Sequence, residues 1–313
     1  MNKQLETPIT FIIFKRPDTT EKVFETIRQV KPKKLLVIAD GPRTDREGEA
    51  EKCAATRAII EKVDWDCEVI KNYSEINIGC AKRVSSGLDW AFNNVEETII
   101  LEDDCIPHPT FFRFCEELLE KYRHDSRITS IAAQNAQLGK NRTNYSYYFS
   151  SYSHCWGWAS WRRAWKNYDL QIKLWPEVKK SNILNDILLD SKAVSYWQNI
   201  FDSIYENPTG ITWDYQWTFA CWMQGGLNII PNVNLINNVG LGADSTNFNT
   251  SEEYSFINLP TEEMKFPLKH PPFTVRNSEA DKFIQNTVYR ATRLDIFKQN
   301  LKKILQEKKL ITR

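Results

Sequence analysis

Residues 98–112 read "TIILEDDCIPHPTFF", an apolar run that ends in three consecutive carboxylates, Glu102, Asp103 and Asp104, and then turns apolar again. Adjacent carboxylates repel one another, and burial makes them hold protons they would shed in water. Three of them at the end of a buried run need a source of opposing charge or full solvation. A solvated acidic turn meets that need. So does a hard cation, Mg2+ or Mn2+, bound through one or two carboxylates with phosphate and water completing its shell. The flanks Ile99-Ile100-Leu101 and Cys105-Ile106-Pro107 read as core and favour the cation.

Working outward, the same kind of buried run recurs upstream. Ile9 to Phe14, bounded by Pro8 and Lys15-Arg16-Pro17, reads as a strand, as do Leu35 to Ala39 and Cys67 to Ile70. Helical stretches alternate with them: one capped by Asp18, Thr19 or Thr20 with Val23, Phe24 and Ile27 on its apolar face, one that the polar residues Arg43 to Arg57 lead into, and one over Gly79 to Phe92. Strands alternating with helices predict an α/β fold with a mainly parallel sheet wrapped by crossovers. Ligands bind beyond the carboxyl ends of such strands. Three of those ends carry polar signatures: Lys15-Arg16-Pro17, Asp40-Gly41-Pro42-Arg43 and the acidic triplet.

The totals narrow the class. The 313 residues hold 41 basic and 40 acidic side chains, a net charge of +1, which argues against a nucleic-acid partner. Seven cysteines, with no C-x-x-C pair, argue against a disulfide framework or a structural zinc site and point to a reducing, cytoplasmic setting. The apolar run near the N-terminus is too short for a signal sequence or a membrane span.

From about Asn141 aromatic and serine residues crowd into "NYSYYFSSYSHCWGWASWRRAW", followed later by "GITWDYQWTFACWMQGG". Asp214 stands there among rings, where a raised pKa suits a general base, and it equally suits the start of a helix near Tyr215. Trp156-Gly157-Trp158 offers either a flat platform for a sugar or ordinary core. Asp40 can accept a pyrimidine imide N–H or simply form a turn with Gly41. Arg16, Lys82 and Arg83 can meet a pyrophosphate or remain solvated charges. His154 is the one histidine expected to reach a cleft. The loop "NNVGLGADSTNF" lacks the glycine spacing and context of a dinucleotide site.

Taken together, "FIIFKRPDTT", "IADGPR", "NIGCAKRVSSGLDWAF", "IILEDDCIPHPTFFRFCEELLEKY", "CWGWASWRRAW" and "WDYQWTFACW" resemble the GT-A superfamily of nucleotide-sugar glycosyltransferases. Within it the chain is similar to bacterial sugar transferases that share a layout with N-acetylglucosaminyltransferase I. The resemblance implies a GT-A (Rossmann-like) catalytic domain over 1–250. Its nucleotide-binding half would be 8–140 and its acceptor-side half 141–250, followed by a strap and a C-terminal basic helix over 251–313. It implies metal-dependent, inverting transfer from a nucleotide-diphosphate sugar, UDP-sugar favoured, with Mn2+ or Mg2+ as cofactor. The acceptor it implies is a glycan or a lipid-linked glycan in surface polysaccharide or lipopolysaccharide assembly.

Position by position, the resemblance assigns Asp104 to the metal, and Glu102, Asp103, Arg16 and Asp40 to the donor; Gly41, Lys82 and Arg83 are set on the donor side by their own places in the sequence, after the second strand and on the later helix. Trp156, Gly157 and Trp158 fall beneath the donor sugar, and Asp214 is the base. The late loop departs from the related pattern, with Asn247 where those sequences often carry histidine. Two other classes compete: a binding module without turnover, and a nucleotidyltransferase, which lacks its glycine-rich, lysine-bearing loop here.

Asp281 to Leu310 reads as a helix with a basic end. From Ile296 to Arg313 six basic residues stand against Glu307, interleaved with Ile296, Phe297, Leu301, Ile304, Leu305 and Leu310. Such a face suits an anionic membrane surface, or packing on the protein itself or on a second subunit in a homo-oligomer.

Overall fold

The structure, a computed structural model, describes residues 4–188, 190–210, 212–240 and 259–289. Its centre is an eight-stranded sheet. Four of the strands are β1 (Ile9–Ile13), β2 (Lys34–Ala39), β3 (Glu68–Tyr73) and β4 (Glu97–Glu102); the other four are β6 (Ile128–Ala132), β7 (Tyr147–Ser150), β8 (Trp158–Trp161) and β9 (Leu227–Pro231). A short β5 (Cys105–Pro107) pairs antiparallel with β10 (Ile236–Asn238) beside it.

The strand order is β3-β2-β1-β4-β8-β6-β9-β7. The first four strands run parallel, β8 is antiparallel to both β4 and β6, β9 is parallel to β6, and β7 closes the sheet antiparallel to β9. The mixed, helix-flanked α/β fold expected from the sequence is the fold found. Strands from before residue 140 and after residue 141 share this one sheet, with β8 inserted between β4 and β6.

The strands were legible as continuous apolar runs because both sheet faces are covered. Phe11, Leu35, Val37, Ile99 and Leu101 share one core with Val23, Phe24 and Ile27 of α1 (Pro17–Val30) and Leu118 of α4 (Thr110–Tyr122). The alternate residues Ile12, Leu36, Ile38 and Ile100 face Val84, Leu88, Ala91 and Phe92 of α3 (Cys80–Asn94), together with Trp158, Trp165, Trp213 and Trp217. That period-two alternation is the pleat itself.

Several expected details differ. No side chain caps α1; Arg16 is its N-cap and Pro17 its first residue, which suits a position whose N–H has no helical partner. Within Arg43 to Arg57 only α2 (Glu49–Ala58) is helical. The chain from 259 to 277 is an extended strap with one pairing, Arg276 running parallel to Phe149 of β7, where Asn277 N–H also donates to Phe149 O at 2.7 Å.

The strap leads into α10 (Ser278–Thr287), capped by Asn277 and held by Asp281, whose carboxylate accepts Ser150 Oγ at 2.6 Å and Ser151 Oγ at 2.7 Å. The expected basic end of this helix, 290–313, and the loop that includes Asn247 lie outside the described residues.

Candidate active site

Strand order reverses sense at β1: β2 follows it on one side, β4 on the other. The crevice beyond the carboxyl ends at such a switch point is where an open α/β sheet takes its ligand. Here it is a cavity of about 270 Å³ lined by Phe14, Lys15, Arg16, Asp40, Arg43, Asn77, Gly79, Cys80, Arg83, the triplet Glu102-Asp103-Asp104, Trp156, Asn238 and Gly240, among others. Three polar strand ends that the sequence keeps 24 to 60 or more residues apart thus meet in one space, as topology requires.

The acidic turn is answered first by Arg16. Its guanidinium NH1 lies 2.5 Å from Asp104 Oδ2 and 3.9 Å from Asp103 Oδ1. Asp103 Oδ2 also accepts the Phe14 backbone N–H at 2.9 Å. One cation is not enough for three carboxylates. Burial and the neighbouring Asp104 still push Asp103 up to about 7, against the pull of Arg16 and the Phe14 N–H. Burial, Asp104, Asp103 and Asp214 push Glu102 well above the ordinary carboxylate range. On the far side Gly240 presses on the turn: a Cβ there would stand 1.9 Å from Asp104 Oδ2, so any larger residue must displace that carboxylate.

Asp40 ends β2 and is 6% exposed. Its carboxylate accepts three backbone N–H groups, from Gly41 at 2.9 Å, Ile78 at 3.0 Å and Gly79 at 3.0 Å. A carboxylate offers about four acceptor sites, so this acid anchors the loop before α3 and keeps one site for a ligand. Gly41 supports the same arrangement without lining the cavity. A side chain on it would meet the Ile76 backbone at 2.5 Å, and its absence lets the loops after β2 and β3 touch.

Lys15 and Arg43 flank the Phe14 ring and converge on Glu49, which lies 2.9 Å from Lys15 Nζ and 2.5 Å from Arg43 NH2. The Arg43 side chain is the main reason Glu49 is held down at about 2. This clamp was not foreseen, because nothing periodic marks Glu49 in its polar stretch.

The remaining expected residues divide. Trp156 lines the cavity. Trp158 does not; it is 1% exposed in β8, with Trp165, Trp213 and Trp217 rings 5.5 to 6.2 Å away, and is core. Gly157 packs beneath Ile236. Arg83 lines the cavity, but its Nε donates to Ala39 O at 3.1 Å and its NH2 to Asn72 O and Oδ1 at 2.5 Å each, so it mainly ties β2 and β3 to α3. Lys82 is exposed and off the cavity wall.

His154, expected at a cleft, is buried on Gln134 at 3.1 Å, and burial lowers its pKa to about 4, so the ring is a neutral core group. Cys80 was not singled out from the sequence. Desolvation and the carboxylates of Glu102, Asp214, Asp40 and Asp104 push its thiol up to about 12, so this exposed residue stays a thiol rather than a thiolate at neutral pH.

Asp214 is the first residue of α9 (Asp214–Met223), not its cap. Thr212 Oγ1 donates to its carboxylate at 2.6 Å, while burial raises its pKa. It lies close enough to add to the electrostatic pressure on Glu102 and Cys80.

The donor chemistry fits a divalent cation. The oxygens are hard, the turn carries more negative charge than Arg16 offsets, and the carboxylates are consequently pushed toward protonation. Among the described residues no three His, Cys, Asp or Glu side chains form a complete metal cage. A cation held here by one or two carboxylates would take the rest of its shell from ligand phosphate and water. Among them, too, no helix is long and apolar enough to cross a membrane.

No protein-family model matches the chain, and no curated protein matches it. One solved structure that matches is a UDP-glucose pyrophosphorylase complexed with UDP-glucose, at 13% identity and a TM-score of 0.26, covering 46% of this chain and 62% of that one. The chain thus spans less than two thirds of that enzyme, and a likeness of this size carries no argument about fold or chemistry.

Proposed function

We propose that the chain is a metal-dependent glycosyltransferase of the GT-A kind, which moves a sugar from a nucleotide-diphosphate donor to a hydroxyl acceptor with inversion. The observation that supports this reading best is the meeting of the acidic triplet, Arg16 and Asp40 at the switch point, with Asp214 close by. A nucleotide enters with its base toward Asp40 and the Phe14 wall and its diphosphate toward Asp104 and Arg16. Asp104 is the residue to hold Mn2+ or Mg2+, with Asp103 beside it. The bound cation supplies charge neutralisation for the departing diphosphate.

Arg16 adds a bidentate donor to the same oxygens. Asp214 accepts the proton of the acceptor hydroxyl. Its burial raises its basicity toward neutral pH, and the Thr212 hydroxyl fixes the orientation of the carboxylate. Trp156 bounds the place left for the donor sugar. The acceptor in this reading is a glycan or lipid-linked glycan, reached from a reducing, cytoplasmic compartment. All seven cysteines are unpaired, which suits that setting.

Thermal unfolding with UDP, GDP, CMP and TDP, each with Mn2+ and with chelator, tests the reading. A ligand at about a hundred times its dissociation constant adds roughly 2.7 kcal/mol. A Mn2+-dependent shift with one nucleotide supports it, and no shift with any of them leaves the triplet a structural turn held by Arg16 and the Phe14 N–H. A nucleotidyltransferase is separated from a glycosyltransferase by its product: pyrophosphate in the first case, nucleoside diphosphate in the second.

A further inference from the structure

We infer that Arg16 is the resident counterion of the acidic turn and is exchanged for the divalent cation when the donor arrives, the freed guanidinium passing to the donor diphosphate. The inference rests on the donor reading above and adds to it an order of events and a coupling between two ligands.

Three observations carry it. Arg16 NH1 sits on Asp104 Oδ2 at 2.5 Å, one of the two oxygens this carboxylate can offer a cation. Among the described residues the other side-chain partner of that carboxylate is the Cys105 thiol, a weak donor 3.4 Å from Oδ1. Gly240 closes approach to Oδ2 from its own side, since even a Cβ there would overlap it. A cation that takes Oδ2 therefore competes with the guanidinium for one place.

The backbone of Arg16 does not have to move in the exchange. Its carbonyl is fixed as the N-cap of α1, accepting Thr20 N–H at 3.0 Å and Thr20 Oγ1 at 2.7 Å. The side chain alone pivots, and it already lines the cavity.

Electrostatics sets the order. The ion pair is largely shielded, with side-chain exposures of 22% for Arg16 and 14% for Asp104. Removing one partner from such a pair leaves a stranded charge, which is strongly unfavourable. Arg16 thus leaves Asp104 only as a cation arrives, and it then needs an anion of its own. A diphosphate matches its planar fork. Each ligand relieves a charge that the other exposes, so cation and diphosphate bind cooperatively, and the coupling is reciprocal.

The test is Mn2+ binding followed by the paramagnetic signal of the free ion, with and without UDP (or the nucleotide that shifts the unfolding temperature). The proteins are wild type, Arg16→Met and Arg16→Gln, each shown to be folded by circular dichroism; Gln serves if Met does not fold. Without nucleotide, the variants bind Mn2+ about tenfold tighter than wild type, and the tightening produced by nucleotide shrinks by about tenfold. Unchanged or weaker Mn2+ binding by the folded variants overturns the exchange, while wild type binding Mn2+ and nucleotide keeps the donor reading intact. Wild type that binds no Mn2+ even with nucleotide sinks the donor reading, and the exchange with it.

Discussion

Asp103 accepts the backbone N–H of Phe14 at 2.9 Å, across a sequence separation of 89 residues. The bond ties the turn after β4 to the loop after β1. Arg16, two residues beyond Phe14, therefore reaches the acidic turn from a fixed base. The candidate site is a property of strand order before it is a property of any one side chain, and substitutions in it separate charge, position and fold.

Asp104→Asn removes the anion that both Arg16 and a cation use while preserving its size. Mn2+-dependent nucleotide binding and turnover are expected to vanish, with circular dichroism unchanged. Turnover at the wild-type level in this variant removes Asp104 from the metal site.

Asp214→Asn should keep nucleotide binding and lose transfer by about 10²- to 10⁴-fold, the usual contribution of a positioned base. The check is turnover beside a nucleotide titration of the same preparation. Normal transfer means that another group takes the proton.

Arg83→Met tests whether that buried guanidinium serves structure. It would take the guanidinium from Asn72 O and Oδ1 and leave Ala39 O with the Ser74 N–H alone, at a cost of roughly 1–3 kcal/mol, seen as a lower urea midpoint with or without ligand. A variant as stable as wild type that binds nucleotide poorly would instead place Arg83 on the donor, as its place in the sequence suggested.

Glu49 gives a pH prediction. Its folded pKa of about 2 lies below the ordinary 4.5, chiefly through the Arg43 side chain, so the ionised form is favoured by folding. A lowered carboxylate contributes stability that is complete above 4.5 and is lost as pH falls from there toward 2. The gap in unfolding free energy between wild type and Glu49→Gln should hold steady above about pH 5 and narrow below it. A gap that does not change with pH would falsify the assignment.

Gly240→Ala places a methyl where Asp104 Oδ2 now stands, 1.9 Å from the added carbon. Without altering any charge it should weaken Mn2+-dependent nucleotide binding by about tenfold or more, on the scale of a 1.4 kcal/mol loss. Binding equal to wild type shows that the turn yields freely.

Much of the parallel half was readable because β1, β2 and β4 are unbroken apolar runs that end in polar signatures, and the triplet, Arg16 and Asp40 stood at those ends. What stayed hidden depends on contacts between distant residues. Asp40 reads as a turn acid, yet two of its three N–H donors come from Ile78 and Gly79. Glu49 lies in a stretch without periodicity and gains its meaning only from Lys15 and Arg43. Trp156 and Trp158 are two positions apart, but one lines the cavity and the other is core, a difference that β8 pairing on both sides decides. His154 read as reaching a cleft because it stands beside the aromatic cluster; its ring is enclosed and paired with Gln134.

The strap beside β7 also bears on how copies of the chain meet one another. An open outer strand is a template for another chain's strand. Here the backbone of Phe149, near that margin, is already engaged by Arg276 and Asn277. The opposite margin, β3, shows the exposed charges of Glu68 and Lys71 to solvent. Self-association by strand addition is thus discouraged at both ends of the sheet, by pairing at one and by charge at the other.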